Sequence, residues 1–331
     1  MTTKFTAVIV TWNSSEHLES CVSALKDTER NSRTSLEIIV VDNASDDDSG
    51  GIALSAGADR LVQNPINAGF AVAASQGIAL AHGTWIIMTN PDLVVDISFL
   101  QIVDDAVENA PANICCFAPE IRFAADNSLI NSCGIAVDNI GIPSEIGKGQ
   151  LASEINFPTT IFGASGGGAI LRRSALDQVG GFEPAYFAYY EDDDLSWRLQ
   201  RAGYRALFLP AAKALHAGSS TVGVASPLQT YLVARNRRLM FYRHGPNGLR
   251  ARAWRGISDL GHMGVSYALT RCTAPFRGRA AALLLRPYLR FLRRTDPIFL
   301  RGIPDDALAP RVSFRTAIRR KLQSVSLERG Q

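Results

Sequence analysis

The chain has 331 residues, enough to bury one full core and still carry an appendage. Its 47% hydrophobic and 20% charged content is that of a folded protein and excludes a disordered one. The formal net charge of +3 conceals an asymmetry. Residues 1–234 hold 13 Lys+Arg against 26 Asp+Glu, a net of −13, and residues 235–331 hold 21 against 5, a net of +16. Such a split predicts an acidic folded body joined to a segment that seeks an anionic surface. Five cysteines, Cys115 and Cys116 adjacent among them, form no disulfide framework and no zinc-type spacing. The opening MTTKFTAVIVTW lacks the long apolar stretch of a signal peptide, and no apolar run reaches the roughly 18–20 residues of a spanning helix. A cytoplasmic chain is expected, in which the sequons at Asn13 and Asn43 carry no glycan.

In chain order, Phe5–Thr11 is a continuous β-branched apolar run, as buried parallel strands are. Ser14–Leu25 follows with Leu18, Cys21, Val22 and Leu25 at helical spacing behind a Ser cap and Glu16. Leu36–Val41 is a second strand, stopped by the turn-rich Asp42–Gly51. Arg60–Gln63 reads as a short strand, Ala71–Ala81 as a small-residue helix and Thr84–Thr89 as a fourth strand. This alternation predicts an α/β fold with a mostly parallel sheet covered on both faces, and ligands beyond the carboxyl ends of its strands. From about 111 to 160 the pattern loosens into short strands and turns. Thr160–Leu171 is a Gly-rich loop entering a strand, Arg172–Val179 and Glu191–Ala202 read as helices, and Arg205–Leu209 as a strand. Beyond about 225 the text is Arg-rich and helical, with Pro breaks at 246, 275, 287, 297, 304 and 310.

The polar residues gather at the expected strand ends. Asp42 ends the second strand, able to accept from a base imide N–H or, more plainly, from its own turn. Asn67 and Gly69 open a helix whose N-terminus faces a diphosphate or is simply capped. Asn90-Pro91-Asp92 is a common turn that also offers a carboxylate to a hard cation. His216 is a potential ligand or a satisfied interior imidazole, whereas His17, His82, His244 and His262 have no motif around them. Glu191-Asp192-Asp193-Asp194 opens a helix. Capping and the helix dipole account for some of these acids but not all four, and crowding raises a carboxyl's proton affinity, as a general base requires. Gly166-Gly167-Gly168 is weak evidence for a phosphate cradle, and Trp197 and Tyr186–Tyr190 are either a sugar-stacking surface or core.

The ordered set TWNSSEHLESCVSAL, VVDNASDD, NAGFAVAASQGI, NPD, GGGAILRRSAL, GGFEPAYFAYYEDDDLSWRLQRAGY and LHAGSS resembles the family-two inverting glycosyltransferases over about residues 5–240. Within them it is most similar to the bacterial rhamnosyltransferase-like branch. The resemblance implies a single GT-A (Rossmann-like) nucleotide-sugar domain, 1–240, followed by a basic helical region, 241–331. It implies that Thr11 and Asp42 contact a uracil or thymine base, and that Asn67, Gly69 and Asn90 lie along the donor. Asp92 and His216 would hold Mg2+ or Mn2+, and Asp192 would be the base that deprotonates the acceptor hydroxyl. Glu191, Asp194, Gly167 and Trp197 would lie on the acceptor side. Two departures stand out: Asn90 occupies the first place of an Asp-x-Asp, and Gln76 stands where the family often has Asn.

The expected reaction moves a sugar, rhamnose first, from a dTDP- or UDP-sugar to a lipid-linked cell-envelope glycan. The basic region, from Arg235, Arg237 and Arg238 through the Arg-studded 250–294, then reads as docking on an anionic inner leaflet rather than as a nucleic-acid surface. A solvated helical extension or an oligomer contact is the plainer alternative. Two other classes are a nucleotidyltransferase, which needs a basic phosphate-holding signature that TWNSSEHLE lacks, and a non-catalytic nucleotide-sugar module, against which Asp92 and the acid cluster argue.

Overall fold

In the computed structural model, residues 3–154, 158–218, 226–245 and 248–309 are described. The first third alternates as expected: β1 (Phe5–Thr11), α1 (Ser15–Arg30), β2 (Leu36–Asp42), α2 (Ser49–Ser55), β3 (Arg60–Gln63), α3 (Phe70–Leu80) and β4 (Trp85–Thr89). β1 is buried at every position and pairs parallel with both β2 and β4. Its Val8 and Val10 enter one core, its Ala7 and Ile9 the core on the opposite face of the sheet, so no polar alternation is permitted. α1 runs on to Arg30 rather than stopping at Leu25, because Thr28 is buried and its hydroxyl accepts from the Leu100 amide. Ser14 stands at the N-cap of α1, but its side chain makes no cap bond and donates to the Trp12 carbonyl.

The central third adds β5 (Leu93–Val95), α4 (Phe99–Glu108), β6 (Ile114–Phe123), β7 (Ile130–Ser132), β8 (Ile135–Val137), β9 (Pro143–Glu145), β10 (Thr160–Ile161), β11 (Ile170–Arg172), α5 (Arg173–Val179), α6 (Glu191–Arg201) and β12 (Arg205–His216). The main sheet runs β10-β12-β6-β11-β4-β1-β2-β3. It is parallel between β3, β2, β1 and β4 and between β6 and β12, but β11 is antiparallel to both β4 and β6. That reversal positions the site. The carboxyl ends of β1, β2, β4 and β12 share one edge, and the glycine loop before β11 enters the sheet from that same edge.

β12 corrects the sequence reading, which ended the strand at Leu209 and put His216 beyond it. The strand continues through a register shift between Leu209 and Lys213 and ends at His216 itself. Pro210 cannot donate to a ladder, so a strand that bulges around it looks finished.

The basic region forms α7 (Pro227–Arg243), α8 (Leu249–Thr270) and α9 (Ala274–Thr295). Pro275 and Pro297 begin helical segments, where the missing N–H costs nothing, and Pro287 lies inside α9 without ending it. The predicted breaks at Pro246 and Pro310 fall outside the described residues, as does the tail beyond. No seam lies at residue 240. α7 crosses it, and a third apolar cluster joins Phe162, Tyr186 and Trp197 to Leu239, Met240, Ala282 and Leu289.

Candidate active site

Along the carboxyl edge lies a cavity of about 770 Å³, within the size range of small-ligand sites. Its wall includes Thr11, Asn67, Gly69, Asn90, Asp92, Gly167, Glu191, Asp192 and His216 from the predicted set. Asp42, Asp194 and Trp197 are not part of it.

The floor is built by strand ends. Asp92 follows β4 in the Asn90-Pro91-Asp92 turn and is 6% exposed. Its Oδ1 lies 3.1 Å from His216 Nε2, because β12 and β5 pair antiparallel with His216 opposite Leu93. Burial pushes the Asp92 carboxyl up, but the hydrogen bond and charge of His216 outweigh it, leaving it below the ordinary range. Asn90 Nδ2 lies 3.5 Å from the same His216 nitrogen. Gly167 abuts Asn90: a Cβ there would fall 2.6 Å from Asn90 Nδ2. The glycine triplet therefore makes room for Asn90. Its Gly166 amide, rather than cradling a phosphate, donates to Asp192 Oδ2 at 2.9 Å.

α6 supplies the acids. Asp192 Oδ1 also accepts from the Asp193 amide at 2.8 Å. Burial raises its pKa above the carboxylate norm, and the Gly166 and Asp193 amides pull it partly back. Glu191 and Asp193 are pushed well up by burial and by the neighbouring carboxylates. Glu191 Oε2 is buried without a hydrogen-bond partner.

A further carboxylate, Glu145, comes from β9 and joins Lys148 on the cavity wall. Burial raises it to about 7, the charge of Asp192 adds to that, and the Ser132 hydroxyl, which donates to Glu145 Oε2, opposes it. Sequence reasoning missed Glu145 because its segment carries no periodic pattern or motif. Asn43, also missed, had a signal: it directly follows β2. Its Nδ2 donates to Asn67 Oδ1 at 2.8 Å, and its Oδ1 accepts from the Ala68 amide at 3.0 Å.

Four readings change. Asp42 accepts from the Ser45 amide at 3.0 Å, the turn alternative, and Asn43 takes its place on the cavity wall. The N-terminus of α3 is already engaged: the Gly69 amide donates to Asn67 Oδ1 and the Ala71 amide to the Phe187 carbonyl, both at 3.0 Å, which leaves fewer donors for a diphosphate. Trp197 is core, stacked on the His244 ring at 5.3 Å between centroids and edge-on to Phe162. Asp194 is fully buried, held by Arg198 Nε at 2.8 Å, Arg243 Nη1 at 2.9 Å and His244 Nε2 at 2.6 Å. Burial alone would raise Asp194, yet the guanidinium groups of Arg243 and Arg198 hold it far below the carboxylate norm. Burial lowers His244 to about 3, so it stays neutral and donates from Nε2. Gln76, the departure from the resembling family, forms a reciprocal amide pair with Asn64 at 2.9 and 3.0 Å.

Arg235 and Arg237, read from sequence as the start of a surface-seeking tail, are mostly interior. Arg235 donates to the Ala185 and Tyr186 carbonyls, and Arg237 to the Ser258 hydroxyl beside the buried Asp259. Among the described residues no helix is long and apolar enough to cross a membrane.

Comparison with known proteins agrees with this arrangement. The family model "Glycosyl transferase family 2" matches residues 6–180, and "Glycosyl transferase family group 2" matches residues 146–290. An N-acetylglucosaminyl-diphospho-decaprenol L-rhamnosyltransferase of Mycobacterium tuberculosis is 28% identical over 247 residues, covering 67% of this chain and 79% of that protein. Rhamnosyltransferase WbbL of Escherichia coli is 29% identical over 140 residues, 41% of this chain and 53% of its own. In fold, the chain is similar to a mannosyltransferase from Pyrobaculum calidifontis solved with GDP-Man and Mn2+, with a TM-score of 0.56 at 16% identity, covering 98% of this chain and 85% of that one. Family membership removes the nucleotidyltransferase alternative. With a family model spanning more than half its length and the motif set in order along one sheet edge, the chain belongs to glycosyltransferase family 2.

Proposed function

We propose that this glycosyltransferase moves rhamnose from dTDP-rhamnose, or a related dTDP- or UDP-sugar, to a hydroxyl of a lipid-linked N-acetylglucosaminyl diphosphate, with inversion. The observation that carries the reading is one cavity with a carboxylate–imidazole pair on its floor and a carboxylate of raised proton affinity on its wall. The substrate class follows the rhamnosyltransferase relative that covers two thirds of the chain.

Asp92 and His216 fit Mg2+ or Mn2+. A buried carboxylate oxygen and an imidazole nitrogen 3.1 Å apart on the cavity floor are donor types that such a divalent ion would take. Among the described residues no group of three His, Cys, Asp or Glu could hold a metal ion, so Asp92 and His216 would hold it together with oxygens that the protein does not supply. When bound, the cation offsets the negative charge that develops on the departing nucleoside diphosphate. Asn90 stands 3.5 Å from the same His216 nitrogen, at the edge of this pair. Asp192 is fixed by two backbone amides with its carboxylate toward the cavity, and its raised proton affinity suits it to take the acceptor hydroxyl proton as that oxygen attacks the anomeric carbon. Glu191, Asp193 and Glu145 line the same cavity, and the Asp192 charge helps to raise all three.

The same reading places the enzyme at an anionic membrane surface through α8 and α9. Trp254, Ile257, Leu260, Phe276, Leu283, Leu284 and Phe291 are exposed on these helices. Between residues 249 and 295 the only acidic residue is Asp259, and it is buried.

A panel of nucleotide sugars scored by thermal shift with and without Mn2+ tests the donor. A saturating cognate donor stabilises the fold by about 3 kcal/mol at 100 times Kd, a rise of about 5 °C or more in Tm. The expected result is the largest rise with dTDP-rhamnose, and only when Mn2+ is present. No metal-dependent rise with any sugar would overturn the proposal.

A further inference from the structure

The segment before the acid cluster, Tyr186–Tyr190, has an unusual backbone. Phe187, Tyr189 and Tyr190 have φ of 67°, 68° and 71°, a region that side chains with a Cβ seldom enter. Phe187, with ψ −68°, is the centre of a tight turn closed by the Ala188 amide donating to the Tyr186 carbonyl at 2.8 Å, a strained form of γ-turn. Tyr190 is left-handed at the N-cap of α6, so its conformation sets the direction in which Glu191 and Asp192 leave the loop. Three such residues within four positions hold only where the surroundings over-determine them.

The surroundings that do so belong to α7. Asn236 is 0% exposed, and its Nδ2 donates to the carbonyls of Tyr186 at 2.8 Å, Ala188 at 2.7 Å and Tyr189 at 2.7 Å. Its Oδ1 accepts from Arg235 Nε at 2.8 Å, which fixes the amide with its donors toward the loop. Arg235 Nη2 adds a bond to the Tyr186 carbonyl at 2.6 Å. Seven residues on, two helical turns along the same face, Arg243 grips Asp194 at the start of α6. The loop also reaches the donor side: the Phe187 carbonyl accepts from the Ala71 amide, and a Cβ on Gly69 would fall 2.5 Å from the Phe187 ring.

We infer that Asn236 is a positioning residue for transfer: its side-chain amide holds the carbonyls of 186, 188 and 189 and thereby fixes the left-handed backbone that aims Asp192 at the acceptor. The inference rests on the transfer reaction proposed above, but its structural half does not. Asn236→Asp is the sharpest variant. It conserves size while replacing two donors by a carboxylate oxygen facing three carbonyls.

The test compares the full-length wild type with Asn236→Asp and Asn236→Ala. Transfer from dTDP-rhamnose is measured together with Mn2+-dependent donor binding by calorimetry and amide hydrogen exchange across 186–194. The expected outcome is a kcat about 100-fold lower, the cost typical of a displaced catalytic group, with donor Kd changed less than about threefold. Exchange accelerates in 186–194 and not in β1 or β4. Adding Tyr190→Gly to Asn236→Ala restores about tenfold of the loss, because glycine takes positive φ unaided. Unchanged kcat with unchanged exchange in 186–194 overturns the inference. So does an equal loss of kcat, donor affinity and Tm with no rescue by glycine, which marks a general packing role. A wild type that binds and transfers no nucleotide sugar refutes the proposed function instead, and exchange in 186–194 then decides the inference alone.

Discussion

Asp192 and Glu145 show how far the side chains of one cavity are set by one another. Glu145 binds its proton more tightly when folded, at about 7 against an ordinary 4.5, so its contribution to stability is full below about pH 4.5 and is lost as pH rises through 7. Glu191 and Asp193, also raised, act with the same sign. Glu145→Gln is expected to have a higher Tm than wild type above pH 7 and to converge with it near pH 4.5. Parallel Tm curves over that range would contradict the raised proton affinity. Gly167→Ala is a steric test of the floor. With a Cβ 2.6 Å from Asn90 Nδ2, Asn90 must move off His216, and Mn2+-dependent donor affinity is expected to fall about tenfold, measurable by calorimetry; unchanged affinity would sever Asn90 from the site. At this scale the sequence picked out Asp92, His216 and Asp192, from a turn after a strand, a strand end and a helix start, and the structure brings the three to one cavity. The sequence misled at Asp42, whose carboxylate turned to its own backbone, and at Trp197 and Asp194. Helical periodicity shows that 194 and 197 share a face but not which neighbour covers it.

Among the elements, α6 depends on partners remote in sequence. Asp194 is fully buried against Arg198, Arg243 and His244, and removing it leaves the Arg198 guanidinium buried without a counter-charge and Arg243 with Glu183 alone. Asp194→Ala is therefore expected to destabilise the fold by about 3–5 kcal/mol, read from urea unfolding. A loss under about 1 kcal/mol would show that the arginines find solvent. The elements legible in sequence were β1, β2 and β4 from their apolar runs, α1 from its helical spacing, and β3, α3, α5 and α6 within a residue or two of their observed bounds. β12 was cut short, because Pro210 sits inside it and proline reads as a strand end, and β6, with Pro119 inside it, was read only as part of a loosened stretch of short strands and turns. In the structure Pro119 pairs with Leu209, and the ladder resumes beyond the shift with Lys213 opposite Glu120. The reversed β11 had no sequence signal, since direction within a sheet is a matter of topology rather than composition.

For the molecule as a whole, α8 is inside out. The face it buries carries Arg255, Asp259, Met263 and Ser266, with Asp259 Oδ2 accepting from Arg279 at 2.9 Å. Its exposed face carries Trp254, Ile257, Leu260 and Tyr267, continued on α9 by Phe276, Leu283, Leu284 and Phe291. Apolar groups facing outward among exposed arginines such as Arg250, Arg277, Arg290 and Arg294 match an anionic lipid surface in both respects. Replacing Trp254, Leu284 and Phe291 together by Ser is expected to cut binding to vesicles containing anionic lipid by tenfold or more, with the donor-induced thermal shift unchanged. Undiminished vesicle binding, or a dimer that dissociates on these substitutions, would assign the face to another occupant. The charge asymmetry of the sequence pointed to this region, but drawn at residue 235 it counted Arg235, Arg237 and Arg243 in the surface-seeking segment. Arg237 and Arg243 are buried and Arg235 is half-buried, because arginine's fork of donors can satisfy interior carbonyls and carboxylates as well as lipid phosphates.

The account turns on a division of labour across one cavity, with Asp92 and His216 on the donor side and Asp192 on the acceptor side. The direct test measures Mn2+-dependent dTDP-rhamnose affinity and single-turnover transfer to a lipid-linked N-acetylglucosaminyl diphosphate in Asp192→Asn, Asp92→Ala and His216→Ala. Asp192→Asn should bind donor as wild type does and lose about 10²–10⁴ in rate, while Asp92→Ala and His216→Ala should lose metal-dependent donor affinity. Equal donor affinity in all three variants, or wild-type transfer by Asp192→Asn, would contradict it.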